Sequence, residues 1–189
     1  GIGIADRNTV AGVVRAHVAL REALSDAGEQ MNFKLIVGAR LVFADDTPDI
    51  IAYPTDRRAW GRLCRLLSLG NLRAKKGECH LFFDDLMQWG EGLALIVPSP
   101  KGAEVFRALK HLTPHLWIGV TMHRTGRDKR KLAELKRLSA AVGIPLIALN
   151  APLYALPDDR PLHDVMTCIR EKIKIHDAGR KLIANAERH

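Results

Sequence analysis

Two apolar runs at the front of the chain constrain the fold more than anything that follows. Residues 1–6 (GIGIAD) end in a carboxylate and turn through Arg7, Asn8 and Thr9 into a helical pattern; residues 34–43 (KLIVGARLVF) then carry Arg40 at their centre. A strand, a helix and a second strand in this order predict parallel pairing with a right-handed crossover. Such a unit puts the carboxyl ends of both strands on one edge, where α/β barrels keep their chemistry. Asp6, Arg7 and Arg40 are the residues that stand there.

The remaining pattern continues the theme. Thr9 is the expected N-cap of a helix ending at Gly28, with Val10, Val13, Val14, His17, Val18, Leu20 and Leu24 as its inward stripe. Residues 34–44 and 49–53 read as strands joined by an Asp45, Asp46, Thr47, Pro48 turn, a hairpin. Residues 55–75 form a basic amphipathic helix with a break expected at Gly70. Further helices are predicted at 84–90, 101–112, 127–142 and 161–173, and strands at 93–97, 116–121 and 144–149. Strands from 93, 116 and 144 lack polar alternation, which suits strands buried on both faces. The pattern predicts one α/β domain, barrel-like; a flavodoxin-like open sheet is the alternative, disfavoured by the hairpin and by the lack of a Gly-rich phosphate loop.

With 189 residues the chain has room for a single core. Three widely spaced cysteines, Cys64, Cys79 and Cys168, give no disulfide framework and no CxxC metal pair, which points to a reducing cytoplasm. No apolar run reaches the length of a membrane span. The net charge of +8 favours acidic partners, nucleic acid first. Arg57, Arg58, Arg62, Arg65, Arg73, Lys75 and Lys76 on and after the basic helix are the candidate DNA contacts; a solvated helix face is the competing reading. The chain opens inside a strand without an initiating Met, so a piece of a longer polypeptide is expected.

Several stretches carry a resemblance: GIADRN at 3–8, IVGAR at 36–40, TGR at 125–127, IPLIA at 144–148 and RPLHDV at 160–165. In this order they resemble the polymerase and histidinol phosphatase (PHP) domain at the front of bacterial C-family DNA polymerase III alpha-type subunits. The run at 38–70 and the ending at 184–189 resemble the error-prone, translesion branch. The resemblance implies a distorted (β/α)7 TIM-like barrel over 1–174, here lacking its first strand and helix. A tail over 175–189 would lead to the absent polymerase core.

In active members of the family, His, Asp, Glu and Cys side chains hold up to three metal ions that activate water for phosphoester hydrolysis. The family's Asp-His-Gly corresponds here to Asp6, Arg7 and Asn8, and its Gly-x-Glu to Gly38, Ala39 and Arg40. Its Asn-Asp-Val-His becomes Asn150, Ala151, Pro152 and Leu153, and its Cys-bearing turn Val97, Pro98 and Ser99. Asp6, Arg7, Arg40, Ala151 and Leu153 therefore outline a degenerate site, with Asp6 and His123 the remaining weak metal candidates. Two cations 4 Å apart repel by about 4 kcal/mol at an effective dielectric of 20, so arginines at these positions disfavour a metal cluster. Arg7 and Arg40 are expected either to pair with Asp6 or to bind an anion.

The resemblance thus implies a catalytically inert fragment of a DNA-directed DNA polymerase, a nucleotidyltransferase used in damage tolerance and repair. The catalytic carboxylates, Mg and dNTPs belong to the rest of the parent. Implied partners are the polymerase core of the same chain, DNA and damage-tolerance accessory proteins. The alternatives are a stand-alone metal-dependent PHP phosphoesterase and a basic nucleic-acid-binding module. Other histidines give no site by spacing: His80 follows Glu78 and Cys79 alone, and Pro114 separates His111 from His115.

Overall fold

The computed structural model describes residues 1–27 and 32–189. Strand β1 (Ile2–Arg7), helix α1 (Val13–Ala27) and strand β2 (Leu35–Leu41) form the expected unit. The two strands pair in parallel from Ile2 with Leu35 to Arg7 with Arg40. Strand β3 (Ile50–Pro54) runs back against β2 as the predicted hairpin, with Ala39 opposite Ala52. Helices α2 (Arg57–Leu72) and α3 (Phe83–Trp89) lead to β4 (Leu93–Val97), which lies antiparallel to β3. Helix α4 (Glu104–Leu112), strand β5 (Leu116–Val120), helix α5 (Asp128–Val142) and strand β6 (Leu146–Ala148) continue as two parallel crossovers.

The six strands follow one another across the sheet in chain order. That order overturns the flavodoxin-like alternative, which requires the strand order to reverse at a switch point. It is the order of a barrel wall, with β3 the one strand running against its neighbours.

Period two sorts the sheet into faces. Ala39, Leu41, Ile50, Ala52, Leu93, Leu95, Val97, Leu116 and Ile118 form one face and pack beneath Leu63, Leu66, Leu86, Phe106, Leu109 and Leu135 of the helices. The opposite face is built for close approach. A Cβ at Gly3 would meet the Tyr53 hydroxyl at 2.8 Å, and one at Gly38 the Tyr53 ring at 2.5 Å. Arg7 and Arg40 fall on this second face, two residues on from Ala5 and Gly38.

Local signals explain particular boundaries. Asp56 caps α2 by accepting from the Ala59 amide at 2.7 Å, and α2 runs unbroken through Gly70. Gly70 is needed there because a Cβ would sit 2.6 Å from both Cys79 Sγ and Leu81 Cδ2. Gly143 ends α5 in the left-handed region at φ 63°. Helix α1 departs from expectation at its start. It begins at Val13, and the Thr9 hydroxyl instead accepts from the Ala11 amide in a tight turn. The expected stop at Gly28 lies outside the described residues.

The inward stripe of α1 is also corrected: Val14 is 70% and Val18 47% exposed, and His17 is exposed. The helix rests on β2 along one side, and the outer part of its wide apolar stripe is left exposed. After β6 a short 3-10 turn leads into α6 (Arg160–Glu171), which Lys172 ends in the left-handed region. Residues 175–189, read from sequence as a tail, turn back onto the ends of β5 and β6.

Candidate functional site

Backbone geometry concentrates at the carboxyl ends of the strands. Of the five non-glycine residues with positive φ among the described residues, three follow β1, β5 and β6: Asn8 at 51°, Arg124 at 51° and Ala151 at 49°. Such conformations cost of order 1–3 kcal/mol each and persist where surrounding contacts hold them. Asn8 shows how. It is buried, its amide nitrogen donates to the Val42 carbonyl at 3.0 Å, its side-chain oxygen accepts from the Val42 amide at 2.7 Å, and its own amide donates to the Arg40 carbonyl. One side chain thereby locks the end of β1 to the end of β2.

Asp6 stands apart from the two arginines of the degenerate site. Asp6 is the register partner of Ala39, on the sheet face opposite Arg7 and Arg40, and its Oδ2 accepts from the Gly12 amide at 3.0 Å. Pairing of Asp6 with either arginine is therefore overturned, for a reason as simple as the alternation of side chains along a strand. Arg40 instead binds Asp49, 2.5 Å away at the foot of β3. Arg7 has no salt bridge to a described carboxylate. No group of three or more His, Cys, Asp or Glu side chains that could hold a metal ion occurs among the described residues.

The third cation at this mouth was missed in the sequence. Arg188 returns from the far end of the chain and donates through Nε and Nη2 to the Ala151 carbonyl at 3.2 and 2.7 Å, while its own carbonyl accepts from the Leu153 amide at 2.7 Å. Ala151, singled out as a lost ligand, thus holds a guanidinium through its carbonyl, and the Leu153 amide holds the Arg188 backbone. Burial lowers the Arg188 pKa from its usual value, and the neighbouring Arg40 cation adds to the effect.

Asn185 fastens the same tail, donating to the carbonyls of His123 at 2.8 Å and Arg124 at 3.1 Å. Arg124 answers with a 3.1 Å ion pair to Glu187. His123 lies with Nε2 3.4 Å from the Asn150 carbonyl. Burial first, then the Arg188 and Lys131 cations, hold its pKa below the ordinary imidazole value, against the opposing pull of Asn150 and Asp128.

The seven proposed DNA-contacting cations divide by their partners. Arg73 forms a two-point pair with Asp85 at 2.5 and 2.8 Å, and this pairing leads the forces that depress the Asp85 carboxyl below its usual range. Arg62 binds the Glu91 carboxylate at 2.6 Å, and Arg65 lies over the Trp89 ring at 5.6 Å. Arg57, Arg58, Lys75 and Lys76 are exposed and make no salt bridge to a described carboxylate. The arginines open a helix of 16 residues, about 24 Å long, and the lysines follow its end. The weaker histidine candidates stay apart: His80 sits 3.6 Å from Glu78, and His115 stacks against Trp117 with ring centres 6.3 Å apart.

A mixed α/β sheet in sequential order, with strained residues and cations gathered where its strands end, is compatible with part of a TIM-like barrel. Over its full length the chain is 51% identical to the error-prone DNA polymerase of Rhodopseudomonas palustris (strain BisB5) and 48% identical to error-prone DNA polymerase 1 of Rhizobium meliloti (strain 1021), each across 197 aligned residues. It is 44% identical to the error-prone DNA polymerase of Brucella abortus biovar 1 across 196 residues. The chain spans 17 to 18% of the length of these relatives. No family model matches the chain.

Proposed function

We propose that the chain is the N-terminal, PHP-type domain of an error-prone DNA polymerase and that its own role is structural. The observation that carries this reading is similarity along the entire chain, near half identity, to proteins named error-prone DNA polymerase. The substitution pattern supports the structural role: cations stand at 7 and 40, where the resembled family has metal ligands, and the Arg188 guanidinium is held by the Ala151 carbonyl. The parent would carry out template-directed DNA synthesis past lesions, in the cytoplasm, using Mg and dNTPs bound elsewhere in the longer chain. The domain would pack on the polymerase core and meet DNA through Arg57, Arg58, Lys75 and Lys76.

Two measurements test the reading. An antibody to these 189 residues should detect, after DNA damage, a native chain several-fold heavier than the fragment; a constitutive band of about the fragment's own mass overturns it. The purified chain, given Mn or Zn, should hydrolyse neither phosphomonoesters nor a DNA 3′ end. Hydrolysis that disappears with Asp6→Ala would favour the stand-alone phosphoesterase instead.

A further inference from the structure

A cavity of about 660 Å³ opens between the end of β1 and the turn that follows α2. Residues that carry hydrogen-bond donors line it from three directions: Arg7 at the end of β1 with Thr9 just beyond, Asn71 in the last turn of α2, and Gly77 and His80 in the turn. Arg7 and Arg40 are register partners on one sheet face, yet their circumstances differ. Arg40 is satisfied by Asp49. Arg7 meets no described carboxylate and lines the cavity.

The walls are fixed independently of any ligand. Asn8, clamped to Val42 at both ends of its amide, sets the backbone between Arg7 and Thr9. The His80 amide donates to the Gly70 carbonyl at 2.9 Å, which anchors the turn to α2. Glu78 is the one carboxylate in the lining, and it is held 3.6 Å from the His80 ring. Burial pushes the Cys79 thiol pKa up, so that side chain brings no negative charge. Lys75 and Lys76, both exposed, lead directly into Gly77 and leave cationic charge in excess.

We propose that this cavity binds a phosphate group carried on a nucleoside. A planar guanidinium flanked by amide and hydroxyl donors is the chemistry that recognises phosphate oxygens. The volume is that of a small-molecule site, larger than a lone ion needs. The phosphate therefore comes from a free nucleotide or from a DNA strand. The inference stands on the cavity's own donors and does not require descent from a polymerase.

Calorimetric titration of the 189-residue chain with dTMP, a short oligothymidylate and inorganic phosphate at low salt tests it. Arg7→Ala should weaken dTMP and oligothymidylate binding roughly tenfold, the loss of one charge-assisted contact. Arg40→Ala should change both by less than about twofold, because its guanidinium already serves Asp49. Tighter binding of the oligonucleotide per phosphate identifies DNA as the source, and the reverse a free nucleotide. Equal losses in Arg7→Ala and Arg40→Ala, or no binding of any of the three probes by the unmodified chain, overturn the proposal. Asn71 is exposed on α2, so Asn71→Ala, expected to weaken binding a few-fold, keeps the test decisive if Arg7→Ala fails to fold.

Discussion

At the scale of single residues, the mouth of the sheet replaces ligand chemistry with cation management. His123 is the residue whose titration should report it. Its pKa is depressed, so the unfolded chain binds the proton more readily, and acidification through the ordinary value of 6.5 costs stability until the folded group is protonated too. The groups facing it are Arg188, Lys131 and Asp128, with the Asn150 carbonyl. Thermal unfolding between about pH 7 and 5 should therefore fall more steeply in the unmodified chain than in His123→Gln; equal slopes would remove His123 from the account. Asp6 shows what was already written in the sequence. Its place opposite the arginines follows from counting alternate residues along GIGIADR and LIVGARL once the two strands pair. Arg188 was not legible in that way, because its partner Ala151 lies 37 residues earlier and the contact depends on how a tail without regular pattern returns.

At the scale of elements, periodicity found each helix, and tertiary partners decided what each helix does. The basic character of α2 was plain, but neither the pairing of Arg73 with Asp85 twelve residues on, nor that of Arg62 with Glu91, has a sequence signature. Asp85 is the more consequential partner, since it is buried and also accepts from the Phe82 amide at 2.9 Å, closing the first turn of α3. Asp85→Ala should cost about 2 kcal/mol, a drop of roughly 4–8 °C in Tm. Its depressed carboxyl contributes stability above the unfolded value of 3.8 that is lost as pH falls through the folded one, so Asp85→Asn should flatten the acid limb of the unfolding profile below about pH 4. The tail behaves as one further element. Removing its Asn185 anchor with Asn185→Ala deletes bonds to two carbonyls. Hydrogen exchange at the Leu153 amide, which donates to Arg188, should speed roughly tenfold, while the Leu95 amide, donating to His115 within the sheet, should not change.

At the scale of the whole molecule, the question is whether the net charge of +8 acts as one field or as separate sites. Internal partners take Arg62 and Arg73 out of a simple phosphate-facing row, and Arg65 shares its guanidinium with the Trp89 ring. Arg57 and Arg58 remain at one end of α2, and Lys75 and Lys76 beyond the other, next to the cavity that Arg7 lines. A DNA strand that uses these positions would touch the domain at two places about 24 Å apart, further than the Debye length of roughly 8 Å at physiological salt. The contributions should then be independent. Each neutralised phosphate adds about 0.9 to the slope of log affinity against log salt on duplex DNA, or about 0.7 on a single strand. The double variants Arg57→Glu/Arg58→Glu and Lys75→Glu/Lys76→Glu should each lower that slope by one to two phosphates' worth, and the two losses should add in the quadruple variant. Arg62→Ala should leave the slope unchanged and show its effect in thermal stability instead, since its charge is spent on Glu91. A slope that falls equally for Arg62→Ala would mean that α2 presents one continuous basic face to DNA, whatever its internal pairs.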